Sequence, residues 1–98
     1  MGKPRGKTLQ ENFEHEGRTF LIEKFWDVSK VLTPVSIGGR TFERALFLRK
    51  RFKPDGTLRT TYKEISQDLG VSVGQVTMNL HIALRIMRHP RQSNRFLK

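Results

Sequence analysis

The densest run of acid–base groups in the chain is Glu14-His15-Glu16. Neighbouring side chains diverge from an extended or helical backbone, so this run makes no pair of converging carboxylates without a pocket built elsewhere. Gly38-Gly39 is too short for a glycine-rich phosphate loop and is expected to be a turn. His15, His81 and His89 lie far apart and cysteine is absent, so no metal-ligand spacing and no disulfide framework arises. No catalytic residue, metal or cofactor is therefore expected. The chemistry left is charge and hydrogen bonding toward nucleic acid. Gln75 and Thr77 have side chains that can meet base edges, Arg59, Lys63, Arg85 and Arg88 can meet phosphates, and Thr61 is a further candidate for contact with DNA. Arg49 and Arg51 are further cations for a nucleic acid or an acidic partner.

The charge distribution supports that direction. The 98 residues carry a net charge of +10 with a sequence pI near 11.0. Residues 1–27 hold five basic and five acidic groups, and residues 28–98 hold fourteen basic against four acidic, so the whole excess lies in the second part. Such asymmetry fits a nucleic-acid partner better than a solubility charge or an anionic membrane surface. No apolar run approaches the ~20 residues needed to span a bilayer, and the basic start MGKPRGK precedes no apolar core. A cytoplasmic protein is expected. Single-strand RNA readers use an exposed aromatic platform, which the motif below lacks.

The stretch that must position these side chains is TYKEISQDLGVSVGQVTMNLHIALRIMRHP, 61–90. Thr60 or Thr61 is a candidate N-cap, with Glu64 spaced to complete a capping box, and Ile65 and Leu69 share one face of a first helix. Gly70 supplies the backbone for a sharp turn, and Ser72 caps a second helix from Val73 to about His89, where Pro90 stops it. This predicts a helix-turn-helix at 61–89, with a plain helical hairpin as the alternative. On the second helix Val76, Leu80, Ala83, Leu84 and Met87 are the expected core face. Asn79 occupies a position where such motifs want an apolar residue, so Met78 and Leu80 are expected to take over its packing by a small rotation. Met78, Ile82 and Ile86 form a second stripe: either a protein interface or a face covered by residues 1–40.

The remainder predicts an all-α small helical bundle. Residues 1–18 read as a basic then acidic tail, partly disordered, with a short helical turn or a hairpin pairing Phe13–His15 with Thr19–Ile22 as alternatives. In 19–98, the expected helical domain, a helix capped by Thr19 runs to Leu32 on the spacing of Leu21, Phe25, Val28 and Leu32. Phe20, Ile22, Trp26 and Val31 widen that stripe, and their aromatic and β-branched content keeps a strand open. Val35–Arg40 is a connection, and Thr41 caps a helix Phe42–Phe52 with Phe42, Ala45, Leu46 and Phe52 inward. Residues 53–59 are a loop around Pro54-Asp55-Gly56, and Phe96-Leu97 is a last helical turn docking back.

Phe42 to Lys98 resembles region four, the C-terminal promoter-recognition domain of housekeeping-type bacterial sigma factors. The segments carrying the resemblance are LRKRF at 48–52, TYKEISQDLGVS at 61–72 and ALRIMRHP at 83–90, the last being the most specific. The resemblance implies a helical bundle that docks on the RNA polymerase β flap through the neighbourhood of Phe42, Ala45, Leu46, Arg49 and Phe52. It implies a helix-turn-helix on double-stranded promoter DNA, with Arg85 and Arg88 beside DNA-bound activators. Where the family carries R-E-R-x-R-Q at the start of its recognition helix, this chain has Val73, Gly74, Gln75, Thr77 and Met78 in the corresponding stretch. Each lost arginine–guanine fork removes roughly 1–3 kcal/mol of discrimination, so the usual hexamer is not expected to be read in the family's way.

Two functions follow as expectations. One is a stand-alone region-four-like transcription protein, with no room for the promoter-melting region: a split sigma subunit with a complementary partner, or a co-activator, of the kind phages encode. The other is an independent dimeric repressor or activator, a second copy of itself joined through Met78, Ile82 and Ile86 or the N-terminal helix.

Overall fold

A computed structural model describes residues 4–14 and 19–98. In chain order the elements are α1 (Leu9–Phe13), α2 (Ile22–Val28) running into a 3-10 turn (Ser29–Val31), β1 (Pro34–Ile37), β2 (Arg40–Glu43), α3 (Arg44–Arg51), α4 (Tyr62–Leu69), α5 (Val73–Arg88) and α6 (Pro90–Ser93). The chain is therefore mainly helical with a two-stranded antiparallel sheet, and the all-α expectation is overturned. Val35 faces Phe42 and Ile37 faces Arg40 across the pair. The cause is local. Gly38 and Gly39 have φ of +60° and +79°, the signs a two-residue hairpin turn demands, and they are flanked by short β-favouring runs.

The hairpin also displaces the helix that follows it. Phe42 belongs to β2 rather than to a helix capped by Thr41. Helix α3 starts at Arg44 after Glu43, which makes no side-chain cap bond. Its buried residues are accordingly Ala45, Phe47, Leu48 and Arg51, with Phe52 buried just beyond, while Leu46 lies only half-buried.

At the N-terminal side, α2 begins later than expected because Thr19–Leu21 is extended against the C-terminal segment. Phe20 bridges Leu97 in antiparallel fashion, Leu21 N donates to Phe96 O at 2.7 Å, and Lys98 N donates to Thr19 O at 2.8 Å. Thr19 is thus not a cap. Leu97 lies in this pairing rather than in a helical turn, although Phe96 does dock back and is fully buried. Within the stretch read as a tail, Thr8 and Glu11 form a complete capping box on α1, which buries Leu9 and Phe13. Of the two alternatives for this stretch, the hairpin is not formed by its described residues: Phe13 ends α1 and Thr19–Leu21 pairs with the C-terminal segment, while His15 lies outside the described residues.

The core is one continuous apolar cluster. At one end Phe13, Phe20, Phe25 and Phe96 meet at ring-centroid distances of 5.2–5.7 Å, mostly edge-on or tilted. At the other, α3 and α4 pack on α5, which buries Val76, Leu80, Ala83, Leu84 and Met87 as its spacing predicts. No helix of the described residues is long and apolar enough to cross a membrane.

Candidate nucleic-acid interface

Helices α4 and α5 are joined by Gly70-Val71-Ser72, and each helix start is closed by a hydroxyl. Thr61 Oγ1 accepts from Glu64 N at 3.2 Å. Ser72 Oγ accepts from Gln75 N at 3.1 Å while Gln75 Oε1 accepts from Ser72 N at 3.0 Å, a full capping box. Gly70 is left-handed at φ +69°, ψ +33°, and its N–H returns to Ser66 O at 2.9 Å. The last carbonyls of α4, Leu69 and Gly70, are met by the Arg40 guanidinium reaching across from β2. A cation at this end suits both the unpaired carbonyls and the negative pole of the helix. The hairpin therefore braces the turn between the two helices.

Asn79 corrects the expected packing of α5. It is 1% exposed, and Met78 and Leu80 do not replace it: Met78 is 54% exposed. The buried amide is satisfied instead. Nδ2 donates to Gln75 O at 2.8 Å, and Oδ1 faces Arg44 Nε at 3.4 Å. Arg44 also donates to Thr33 Oγ1 at 3.2 Å, so α5 is tied through its polar core position to the segment before the hairpin.

The two base-contact candidates are partly occupied. Gln75 spends its amide oxygen on the cap of α5, which leaves only its NH2 group to meet a base. Thr77 Oγ1 donates to Val73 O at 2.9 Å, which leaves its lone pairs as acceptors. Of the phosphate candidates, Arg59, Lys63 and Arg85 are exposed and make no ion pair among the described residues. Thr61 is half-buried and committed to its cap. Arg88 is committed as well: Nη2 donates to Asn12 Oδ1 at 2.8 Å and Nε to Asn12 O at 3.3 Å, with the guanidinium 5.9 Å from the Phe13 ring centre.

The five residues expected to face a polymerase flap divide. Ala45 and Phe52 are interior, Phe42 and Leu46 are half-buried, and Arg49 is exposed and paired with Glu43 at 3.2 Å. Phe42 carries the Arg40 guanidinium 4.9 Å above its ring. A surface cavity of about 200 Å³ joins Arg49 and Phe52 to Arg59, Trp26 and Pro54. The indole N–H of Trp26 donates to Pro54 O at 2.9 Å and fixes that wall. Trp26 and Pro54 carried no site signal in the sequence, because a tryptophan on an apolar stripe looks like core.

Met78, Ile82 and Ile86 do form a surface stripe. Ile82 and Ile86 are half-buried, and the described part of residues 1–40 leaves Met78 open. A cavity of about 280 Å³ lies along it, lined by Met78, His81, Ile82, Arg85 and Arg88. No acidic residue occurs after Asp68, so this face of α5 is apolar and cationic only. His81, which the sequence offered only as a failed metal ligand, stands on the same face as Arg85.

No family model, curated protein or solved structure matches this chain.

Proposed function

We propose that this chain is a cytoplasmic transcription protein, not an enzyme, that binds double-stranded DNA through α4, its turn and α5, and RNA polymerase through the surface around α3. The observation that carries the proposal is the capped α4–Gly70–α5 unit, in which α5 presents His81 and Arg85 on its outer face and carries no acidic residue of its own, the acids of the unit, Glu64 and Asp68, both lying on α4. Its resemblance in sequence to sigma region four supplies the polymerase flap as partner. Phe42, Leu46 and Arg49, with the neighbouring cavity, are the surface available to it.

DNA affinity comes mainly from phosphates. Arg59, Lys63 and Arg85 make no ion pair among the described residues, and each phosphate contact contributes about −0.9 to the slope of log K against log salt, so three give about −2.7. Base reading is narrow. Gln75 offers one donor pair without breaking its cap, and it cannot form the two-sided contact to adenine. Weak sequence preference over a strong electrostatic affinity suits a protein whose placement on a promoter comes from polymerase.

The test is capture of purified core RNA polymerase by the full chain at moderate salt, with intact polymerase and with polymerase lacking the β flap. Flap-dependent capture is expected. Absence of capture, together with tight binding to a selected duplex, would sink the polymerase half of the proposal. The Met78-Ile82-Ile86 stripe, open at Met78 and half-buried at the two isoleucines, favours a second reading in that event, an independent operator-binding dimer, and sedimentation would then show two copies per duplex.

A further inference from the structure

We infer that the cavity between the N-terminal arm and α5 is a phosphate-binding site. It encloses about 180 Å³, and Lys7 of the arm, Arg51 at the end of α3, and His81 and Arg88 of α5 line it together with Asn12 and Tyr62. Three separate parts of the chain thus bring cationic or protonatable side chains to one place. Among the described residues no carboxylate lines it, and none of these four groups makes an ion pair. By contrast Lys30, Arg49 and Lys50 each find an acid. Gathering like charges without a counter-charge raises the energy of the fold, and a bound anion offsets it.

The site is built rather than accumulated. Arg51 is only 4% exposed. Its Nη1 donates to Thr60 O and its Nη2 to Arg5 O, both at 2.7 Å, and it lies 4.3 Å from the Tyr62 ring centre. Arg88 is held by the two oxygens of Asn12. In both cases neutral oxygens fix the guanidinium and leave its charge uncancelled, so little orientational freedom remains to be lost when an anion arrives. The arm lies close only because residue 6 is glycine. A Cβ there would sit 2.6 Å from Arg51 Nη2, at a φ of +139°. That passage is what brings Lys7 over the cavity.

A phosphate ester matches the chemistry, because arginine forks and a lysine point charge are its usual receptors and the space admits a phosphate with a few waters. Two sources share this chemistry: a DNA backbone phosphate flanking α5, and the phosphate chain of a free nucleotide or polyphosphate. The first source rests on the DNA binding proposed above; the site itself does not.

The experiment titrates the full chain with sodium tripolyphosphate at low salt, by calorimetry and by backbone and arginine side-chain NMR. One saturable site is expected, with shifts confined to Lys7, Arg51, Tyr62, His81 and Arg88. Lys7→Gln with His81→Gln, both at exposed positions, weakens it at least tenfold, and Gly6→Ala weakens it by lifting the arm. Lys30→Gln with Arg95→Gln, which removes charge elsewhere, leaves it unchanged. Equal weakening by the two pairs, shifts spread over all cations, or no saturation would overturn the site. A 20-base-pair duplex then separates the sources. A backbone phosphate in the cavity makes the Lys7/His81 variant lose about 1 from the salt slope. An unchanged slope with tripolyphosphate binding lost assigns the site to free phosphate esters. Tripolyphosphate binding in a chain that binds no duplex sinks the DNA proposal and leaves the phosphate site standing.

Discussion

Asn79 Oδ1 lies 3.4 Å from Arg44 Nε, inside the packing of α5, where an apolar side chain would ordinarily sit. The contact is long for a hydrogen bond, and Arg44 retains Thr33 Oγ1 and partial access to water. Replacing the amide with an apolar group of similar size therefore strands no buried partner. Asn79→Leu is expected to unfold in denaturant within about 1 kcal/mol of the parent, on either side. Asn79→Ala leaves a void and is expected to lose about 1–3 kcal/mol. A large loss for leucine as well would show that the Arg44 contact matters more than its length suggests.

Gly70 and Arg40 make a second, coupled pair. A Cβ on residue 70 meets Arg40 Nη2 at 3.0 Å, on a backbone at φ +69°. Gly70→Ala is expected to cost about 1–2 kcal/mol from the left-handed backbone, with a further loss from the displaced guanidinium. In Arg40→Ala the guanidinium is absent, so the same glycine change should cost less there. A double-mutant cycle on unfolding free energies measures the difference, and strict additivity would mean that Arg40 swings aside freely.

Some of this architecture could be seen in the sequence and some could not, for physical reasons. The caps Thr61 and Ser72, the turn at Gly70 and the stop at Pro90 are local signals, and they appear where spacing put them. The hairpin was also local: Val35, Ile37 and Phe42 flank two glycines, but the Phe42–Phe52 stretch fits a helical stripe well enough to mask the strand. Phe20 with Leu97 lies beyond any local rule, since the two are brought together only when Phe96 fills the aromatic cluster. Polar residues in the interior were the least visible. Asn79 and Arg51 are acceptable there only through bonds to Gln75 O, Thr60 O and Arg5 O, and no sequence window contains Arg51 together with Arg5. The same blindness hid Lys7, which seemed to belong to a loose tail.

Asp55 is expected to give the loop before α4 a pH response. Its Oδ1 accepts from Thr57 Oγ1 at 2.6 Å and from Thr57 N at 2.9 Å, and these bonds, aided by Lys53, hold its carboxyl below the ordinary 3.8. A depressed folded-state pKa means that the contribution is present above the unfolded value and is lost as pH falls through the folded one. Below pH 4, therefore, the parent should lose more of its stability advantage over Asp55→Asn than it does between pH 5 and 7. Thermal melts across that range measure it. Parallel curves for the two proteins would mean that the charge state of Asp55 contributes nothing to folding.

Gln75 allows the fold and the DNA contact to be separated. Its Oε1 closes the capping box on α5, and glutamate at that position can make the same bond. Gln75→Glu also places a negative charge at the positive end of a 16-residue helix, a gain of about 0.3–1 kcal/mol. The variant should therefore be as stable as the parent or slightly more so. Toward a duplex the effect reverses. The NH2 donors are gone, and a carboxylate stands where α5 would approach phosphates and base edges, beside exposed Val73 and Gly74. Affinity for duplex DNA should fall about tenfold or more, equivalent to about 1.4 kcal/mol, and the loss should shrink with added salt. Melting temperature and fluorescence anisotropy on the same preparation decide the matter. Undiminished duplex binding by a stable Gln75→Glu protein would show that the start of α5 does not face DNA, and the cationic surface around Arg59 and Lys63 would have to carry the contact alone.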